Sequence, residues 1–158
     1  MSGQGDSDGA LRAVQALGLE HEVLRHGPVR SLAEAAKARG VAPADVVKTI
    51  VVRRGKDDYL FVLVPGDRTI AWPKLRSLLG VQRLSMPDAT TAFQVTGYER
   101  GTITPFGSST SWPVIADERL LGRRITVGAG AHGVAVAVAA DAAIAALKAQ
   151  VADVTDAE

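Results

Sequence analysis

The sequence has no cysteine and few aromatic residues, and each shortage excludes classes of function. With no cysteine among 158 residues, the chain cannot form disulfides, thiolate nucleophiles or cysteine-ligated zinc sites. Phe, Trp and Tyr together make up 4% of the residues. That is too few for a protein that binds single-stranded nucleic acid by stacking successive bases on aromatic rings. The core must therefore rest on Val, Leu, Ile and Ala.

The net charge is also small, and long apolar runs are absent from the sequence. The formal net charge is +1, whereas a protein that coats duplex DNA carries a strong basic excess. We therefore expect no DNA partner, while contact with one end of a nucleic acid stays open. The most apolar segment, residues 129–149, is interrupted by His132, Asp141 and Lys148, so no membrane helix is predicted.

The polar residues 1–9 are rich in Gly, Ser and Asp and lack the basic and apolar parts of a signal peptide. We interpret them as a disordered N-terminal tail. The length suits one domain with a proper core, and we assign it to residues 10–158. The expected location is cytoplasmic.

Helical and strand patterns alternate along the chain. Ser31 and Glu34 form a capping box for a helix that ends at Gly40, and Pro43 suits the first turn of a short helix. Further helices are predicted over 10–17, 72–79, 87–94 and 142–150, and strands over 21–26, 45–52, 59–64, 81–85, 113–116, 124–127 and 134–138. Several neighbouring strands are connected as hairpins would be, which favours a mixed α+β sheet or barrel over a doubly wound fold.

Residues 128–133, Gly-Ala-Gly-Ala-His-Gly, match the dinucleotide-binding pattern G-x-G-x-x-G. That pattern needs a helix that opens at the glycines and faces the pyrophosphate with its amides. Here residues 134–138 alternate Val and Ala, which favours a strand. We therefore predict a glycine turn between two strands, whose backbone is still free to face a ligand.

Three further features are ambiguous when each is taken alone. Lys48 stands at the mouth of an apolar strand, where a lysine usually marks the solvated start. The loop 96–107 concentrates Gly, Thr and Pro, as loops that bring backbone close to a ligand do, but taken alone it is better explained as an ordinary connection. His21 and His26 point to opposite faces of a predicted strand and His132 is isolated, so no metal site is predicted.

Together these segments resemble one family, over the region from about His21 to near the C-terminus. The resemblance is carried by Val47-Lys48-Thr49 ahead of a β-branched strand, Thr96-Gly97-Tyr98 followed by Gly101-x-x-x-Pro105, and the glycine turn 128–133. The chain resembles the YbaK/EbsC family, relatives of the editing domain inserted in bacterial prolyl-tRNA synthetases. The resemblance implies an α+β fold with a mixed, partly barrel-like β-sheet flanked by helices.

The same resemblance implies an aminoacyl-tRNA deacylase that acts in trans on mischarged tRNA, without cofactor or metal. The implied partner is the acceptor end of tRNA, and an aminoacyl-tRNA synthetase is a further candidate. The alternative is a non-catalytic tRNA-binding or regulatory module with a degenerate pocket. The implied catalytic residues are Lys48 and Gly101, and the implied substrate-binding residues are His26, Thr49, Thr102, Pro105, Gly128, Gly130, His132 and Gly133.

Two positions depart from the family pattern. Many members carry a serine before two glycines where this chain has Gly128-Ala129-Gly130, and an aromatic residue is frequent where it has Leu24. Because such positions border the pocket in the family, the departures leave open which amino acid and which tRNA are recognised.

Overall fold

The structure, a computed structural model, describes residues 4–158 and combines helices with a mixed set of strands. The helices are α1 (Gln4–Ala16), α2 (Leu32–Arg39), α3 (Trp72–Leu79), α4 (Ala89–Thr96) and α5 (Ala140–Leu147). The strands are β1 (His21–Arg25), β2 (Val47–Gly55), β3 (Asp58–Pro65), β4 (Arg68–Ile70), β5 (Val114–Asp117), β6 (Arg124–Gly128), β7 (Val134–Ala139), β8 (Gln150–Ala152) and β9 (Thr155–Ala157). Two short 3-10 turns, Pro43–Asp45 and Glu118–Leu120, lie ahead of β2 and β6.

The strands form two larger sheets, whose edge strands β6 and β2 lie side by side. The first has the order β1-β7-β6 and is antiparallel throughout. The second has the order β2-β3-β5-β8, with β2 antiparallel to β3 and with β5 parallel to both β3 and β8. A bridge between Val46 and Thr126 places β2 beside β6. This confirms the expected mixed α+β fold, although no closed barrel forms among residues 4–158.

Strand β3 is buried on both faces and separates two hydrophobic cores. Its alternating residues Tyr59, Phe61 and Leu63 face the core shared with β6, β7, α1 and α5. The intervening residues Leu60, Val62 and Val64 face a second core that includes Leu75 of α3. A strand covered on both sides reads as a continuous apolar run, which is how residues 59–64 appear in the sequence.

Local signals place several helices and turns as predicted. The Ser31 hydroxyl accepts a hydrogen bond from the Glu34 amide at 3.1 Å, and Gly40 ends α2 with a φ of 71°. Helix α3 likewise begins at Trp72 and ends at Gly80. The glycine turn 128–133 lies between β6 and β7, so the dinucleotide pattern lacks the helix that it needs.

The interpretation of residues 1–9 as a tail is wrong from residue 4 onward. Helix α1 begins at Gln4, and Ser7 is buried with an exposed fraction of 1%. The carbonyl of Gly9 lies so close to Gly107 that a side chain at Gly107 would collide with it. Tertiary packing therefore orders a segment whose composition is polar. Residues 1–3 lie outside the described residues.

Other boundaries also shift. Helix α4 begins at Ala89, because the Asp88 side chain accepts a hydrogen bond from the Thr91 amide at 2.8 Å and acts as the N-cap. The predicted strand 81–85 reduces to one bridge between Ser85 and Arg53.

The last helix, α5, starts at Ala140 instead of residue 142. The sequence suggests Asp141 as the N-cap of this helix, but its side chain does not cap it and instead accepts a hydrogen bond from the Gly122 amide at 2.8 Å. The short strands β4, β8 and β9 were not predicted. No helix in the described part of the chain is long and apolar enough to cross a membrane.

Candidate active site

The start of β2 places Lys48 and Thr49 beside a cavity of about 550 Å³. Because β2 is an edge strand, residues from both of its faces can border the same opening. Val47 and Val51 share a face with Thr49 and belong to the first core, whereas Val52 shares the face of Lys48 and belongs to the second. The apolar neighbours fix the strand, and its end delivers the two polar side chains to the cavity.

Five segments of the chain form the walls of this cavity. They are the region from Val29 through α2, the first half of β2, the residues before and within α4, and the two glycine segments. The lining residues are Val29, Arg30, Ser31, Leu32, Ala35, Arg39, Val46, Val47, Lys48, Thr49, Ile50, Val51, Met86, Pro87, Ala92, Arg100, Gly101, Ile103, Gly128 and His132. Lys48, Thr49, Gly101, Gly128 and His132, all predicted site residues, are therefore brought together.

The two glycine segments contact each other at the cavity. The Gly130 amide donates a hydrogen bond to the Thr102 carbonyl at 3.0 Å. A β-carbon at Gly128 would lie 3.2 Å from the carbonyl oxygens of Thr102 and Ile103, which is closer than a comfortable contact. Gly101 has a φ of 90°, a conformation that side chains disfavour. Glycine at 128 permits this close approach without displacing the neighbouring backbone, and glycine at 101 accommodates the positive φ.

The other predicted site residues do not border the cavity. Thr102 is buried and its hydroxyl donates to the Glu99 carbonyl at 2.7 Å. His26 donates its amide to the Gly133 carbonyl at 2.9 Å, and a β-carbon at Gly133 would lie 2.5 Å from the His26 carbonyl oxygen.

Thr102, Gly130, His26 and Gly133 are thus parts of the framework behind the cavity. Pro105 lines a different cavity of about 590 Å³, together with Phe106 and Trp112. Direct substrate contact by these residues stays a prediction.

Lys48 lies between the cavity of about 550 Å³, which we call the main cavity, and a smaller one. The smaller cavity has a volume of about 220 Å³ and is lined by Lys48, Ile50, Val64, Thr69, Ile70, Trp72 and Met86. The Lys48 ammonium donates a hydrogen bond to the Arg68 carbonyl and lies 3.7 Å from a carboxylate oxygen of Glu158. Its side chain is 27% exposed, so a ligand in either cavity can reach it.

The lining of the main cavity carries positive charge without any carboxylate. Arg30, Arg39, Lys48 and Arg100 line it, and no Asp or Glu among residues 4–158 does. His132 lies at the rim, where its Nε2 is 3.3 Å from a carboxylate oxygen of Glu99 and both side chains are exposed. A chain with a net charge of only +1 therefore concentrates cations at one opening, which attracts anionic ligands.

Arg39 was not predicted as a site residue. Its guanidinium donates from Nη1 to the Thr126 hydroxyl at 3.1 Å and from Nε towards His26 Nε2 at 3.5 Å. Burial lowers the pKa of the Arg39 guanidinium from its ordinary value. A basic residue in the last turn of a helix ordinarily complements the helix dipole, so no pattern in the sequence distinguishes Arg39 from an ordinary helix-end residue.

Thr49 contributes an unused polar group to the site. Its hydroxyl oxygen is buried and has no hydrogen-bond partner among the described residues. Buried hydroxyls nearly always have a partner, which makes Thr49 an exception beside the cavity. Within the part of the chain that the structure describes, no three His, Asp or Glu side chains are placed to hold a metal ion.

Comparison with known families and proteins gives a consistent set of similarities. Residues 26–145 match the model of the aminoacyl-tRNA editing domain. The proline–tRNA ligase of Thermosipho melanesiensis is 33% identical over 99 residues, which are 63% of this chain and 17% of the ligase. The chain therefore spans only a small part of that relative's length.

Two smaller proteins are similar over most of their length. A candidate Cys-tRNA(Pro)/Cys-tRNA(Cys) deacylase of Enterococcus faecalis, EbsC, is 27% identical over 124 residues, which are 78% of this chain and 76% of EbsC. A solved structure described as a candidate trans-editing enzyme for prolyl tRNA synthetase superposes with a TM-score of 0.86 at 25% identity. That superposition covers 96% of this chain and 97% of the other.

Proposed function

Because the chain belongs to the aminoacyl-tRNA editing domain family, we propose that it is a deacylase that acts in trans on mischarged tRNA. It would hydrolyse the ester that joins a wrong amino acid to the terminal ribose. The observation that carries the proposal is the cavity itself, in which basic side chains and two glycine segments surround Lys48 with no carboxylate in the lining. Such a lining suits the anionic end of a tRNA.

The reaction requires no nucleophile from the protein. An aminoacyl ester is already reactive, so a water molecule attacks the carbonyl carbon once the ester is held still. The tetrahedral intermediate then expels the ribose oxygen, which takes up the proton released by the water. The chain must bind the ester, orient it and stabilise the developing oxyanion. The absence of cysteine from the sequence is no obstacle to this chemistry.

Lys48 is the residue that we assign to the ester oxygens. Its ammonium supplies up to three donors and a positive charge. In the structure these donors meet the Arg68 carbonyl and approach the exposed Glu158 carboxylate, neither of which neutralises Lys48 in a buried pair. An ammonium held in this way can turn towards a substrate at a small cost.

The glycine segments supply backbone to the same reaction. Gly101 and Gly128 both line the cavity, and the absence of side chains there leaves space for the aminoacyl group. The unpartnered Thr49 hydroxyl is a further group that we assign to the substrate. We propose that Thr102, Gly130 and Gly133 hold this backbone in place through the contacts described above.

The proposal implies partners and a location. The exposed Arg30 and Arg100 at the cavity would contact phosphates of the single-stranded acceptor end. The synthetase that mischarges the same tRNA is the protein partner that we propose. Because charged tRNA is used where translation takes place, the proposal places the protein in the cytoplasm.

The decisive experiment measures the release of each amino acid from a panel of mischarged tRNAs, with the parent protein and with Lys48→Ala. We expect the parent to release at least one amino acid and the variant to release none at a comparable rate. A parent protein that binds tRNA but deacylates no member of the panel would refute the enzyme and favour the non-catalytic binding module.

A further inference from the structure

Arg39 lies in the wall of the main cavity and has no negatively charged partner among residues 4–158. It is partly buried, and its two protein contacts are the neutral Thr126 hydroxyl and His26 Nε2. Its remaining N–H groups, including both on Nη2, have no acceptor among the described residues. By contrast, Arg119 pairs with Asp117 at 3.3 Å and with Asp153 at 2.8 Å. The difference is that Arg39 borders a cavity and Arg119 does not.

An unpaired cation of this kind is costly to keep in a folded protein. Removing a guanidinium from water without a counter-ion is unfavourable, so partly buried arginines usually pair with a carboxylate. Burial accordingly lowers the pKa of the Arg39 guanidinium, with no opposing contribution from a nearby carboxylate. A partly desolvated cation that borders a cavity is a candidate for a ligand-binding position.

His26 and Thr126 hold the guanidinium in one orientation. His26 Nδ1 lies 2.8 Å from the Gly27 carbonyl oxygen, a contact that requires the proton on Nδ1. Nε2 is then the acceptor, and it faces the Nε–H of Arg39 at 3.5 Å. Thr126 fixes Nη1 from the other side at 3.1 Å. His26, which does not border the cavity, thus acts on it through Arg39 as a positioning residue.

We propose that Arg39 binds the phosphodiester of the terminal nucleotide of tRNA, at a subsite separate from Lys48; this rests on the proposed function. The free edge of the guanidinium presents parallel donors that match two phosphate oxygens. A phosphate accompanies every tRNA substrate, whichever amino acid it carries. The α-ammonium of the aminoacyl group, by contrast, is repelled by Arg39. With Arg39 on the phosphate, Lys48 is left for the ester oxygens.

The test uses two small substrates that differ only in the phosphate. They are the 3′-aminoacyl ester of adenosine and the 3′-aminoacyl ester of adenosine 5′-monophosphate, each with the amino acid released fastest from tRNA. We expect Arg39→Gln to lower kcat/KM for the phosphorylated ester about 10- to 100-fold, as loss of charge-assisted bonds predicts. For the unphosphorylated ester kcat/KM should change by no more than about twofold, because this ester has no phosphate that Arg39 could bind.

Two variants serve as controls. Arg124→Gln removes one positive charge at a residue that pairs with Glu22 on the surface and does not line the cavity. It should leave kcat/KM unchanged for both esters. Arg39→Lys keeps the positive charge but lacks the planar guanidinium, so it should recover only part of the preference for the phosphorylated ester. If Arg39→Gln unfolds, Arg39→Lys takes its place in the test. If either Arg39 variant lowered kcat/KM equally for both esters, the proposal would be overturned. The same holds if kcat/KM fell only for esters whose amino acid has an acidic side chain, because Arg39 would then bind that side chain and not the phosphate.

Binding provides a readout that does not depend on catalysis. Calorimetric titration should show that the parent protein binds adenosine 5′-monophosphate about 10- to 100-fold more tightly than adenosine, and that Arg39→Gln removes the difference. Equal affinity of the parent for the two compounds would overturn the subsite. If the parent prefers the monophosphate but hydrolyses no ester, the subsite stands and the deacylase function fails.

Discussion

The Lys48 ammonium lies 3.7 Å from the Glu158 carboxylate, and the two side chains are 27% and 61% exposed. An ion pair this open to water contributes little to stability, because solvent screens the attraction. The contact therefore orients Lys48 towards the end of the described chain without committing its charge. A substrate that offers better-placed oxygens can replace Glu158 as the partner.

Replacement of Lys48 by alanine should abolish most of the deacylation and leave the fold intact. Losing a charged donor that acts on the developing oxyanion costs about 3–4 kcal/mol of transition-state stabilisation, or roughly a hundred- to thousandfold in rate. Stability should hardly change, because the carboxylate left behind, on Glu158, is exposed. Single-turnover hydrolysis of a mischarged tRNA and a thermal melt measure the two effects.

Lys48→Arg is the control for charge alone. It retains the positive charge but changes the reach and shape of the donor group, so it should restore little activity. A folded Lys48→Ala variant with the parent rate would contradict the catalytic assignment. A large drop in melting temperature would instead identify Lys48 as a structural residue.

Replacement of Gly101 by valine should reduce turnover more than it reduces stability. A β-branched residue at a φ of 90° is strained by about 1–2 kcal/mol, and its side chain would enter the cavity near His132, whose Cε1 is 3.6 Å from the position of the added β-carbon. We expect kcat/KM to fall about tenfold or more. Steady-state kinetics and a urea titration measure the two quantities.

Gly122→Val is a matched control for that backbone strain. Gly122 has a φ of 76°, its added β-carbon would meet nothing within 4 Å, and it does not line the cavity. It should lose a similar amount of stability and keep its activity. Equal activity losses in the two variants would show that strain, and not occupation of the cavity, explains the Gly101 result.

The affinity for tRNA should depend only modestly on salt. Four cationic side chains line the cavity, namely Arg30, Arg39, Lys48 and Arg100. With about 0.7 counterions released for each single-strand phosphate that is neutralised, the slope of log K against log salt should be about −2 to −4. Filter binding or fluorescence anisotropy at several salt concentrations gives the slope. A value near −8 would require an extensive contact with tRNA beyond this cavity.

Replacement of Asp117 by alanine should be strongly destabilising. Asp117 is completely buried and its carboxylate accepts hydrogen bonds from the Val154 amide at 3.1 Å, the Thr155 hydroxyl at 2.9 Å and the Arg119 amide at 3.0 Å. Removing it strands these donors, which costs about 3–5 kcal/mol. Urea unfolding measures the loss. Asp153→Asn, which weakens an exposed contact with the same Arg119, should leave the midpoint nearly unchanged; equal effects would contradict a special role for burial.

The sequence determined the parts of the fold that depend on neighbouring residues. The cap at Ser31 and the helix end at Gly40 were predicted because the groups that form them lie within a few residues of each other. The glycine turn 128–133 was separated from a nucleotide-binding loop for the same reason, since the alternation that follows it is local. The predicted importance of Lys48 rested on family resemblance, as a lysine at a strand end has no distinctive pattern of its own.

Tertiary structure decided which distant segments meet. The contact of Gly130 with Thr102 joins the two glycine segments, and the hydrogen bond from Arg39 to Thr126 spans 87 positions of the chain. No local pattern encodes such pairs, because they depend on which distant strands lie side by side in the folded chain. The same applies to β5, which pairs with β3 across more than 40 intervening residues, and to residues 4–9, which are helical although their composition is polar. Local propensity is a weak preference, and burial against partners from elsewhere in the chain overrides it.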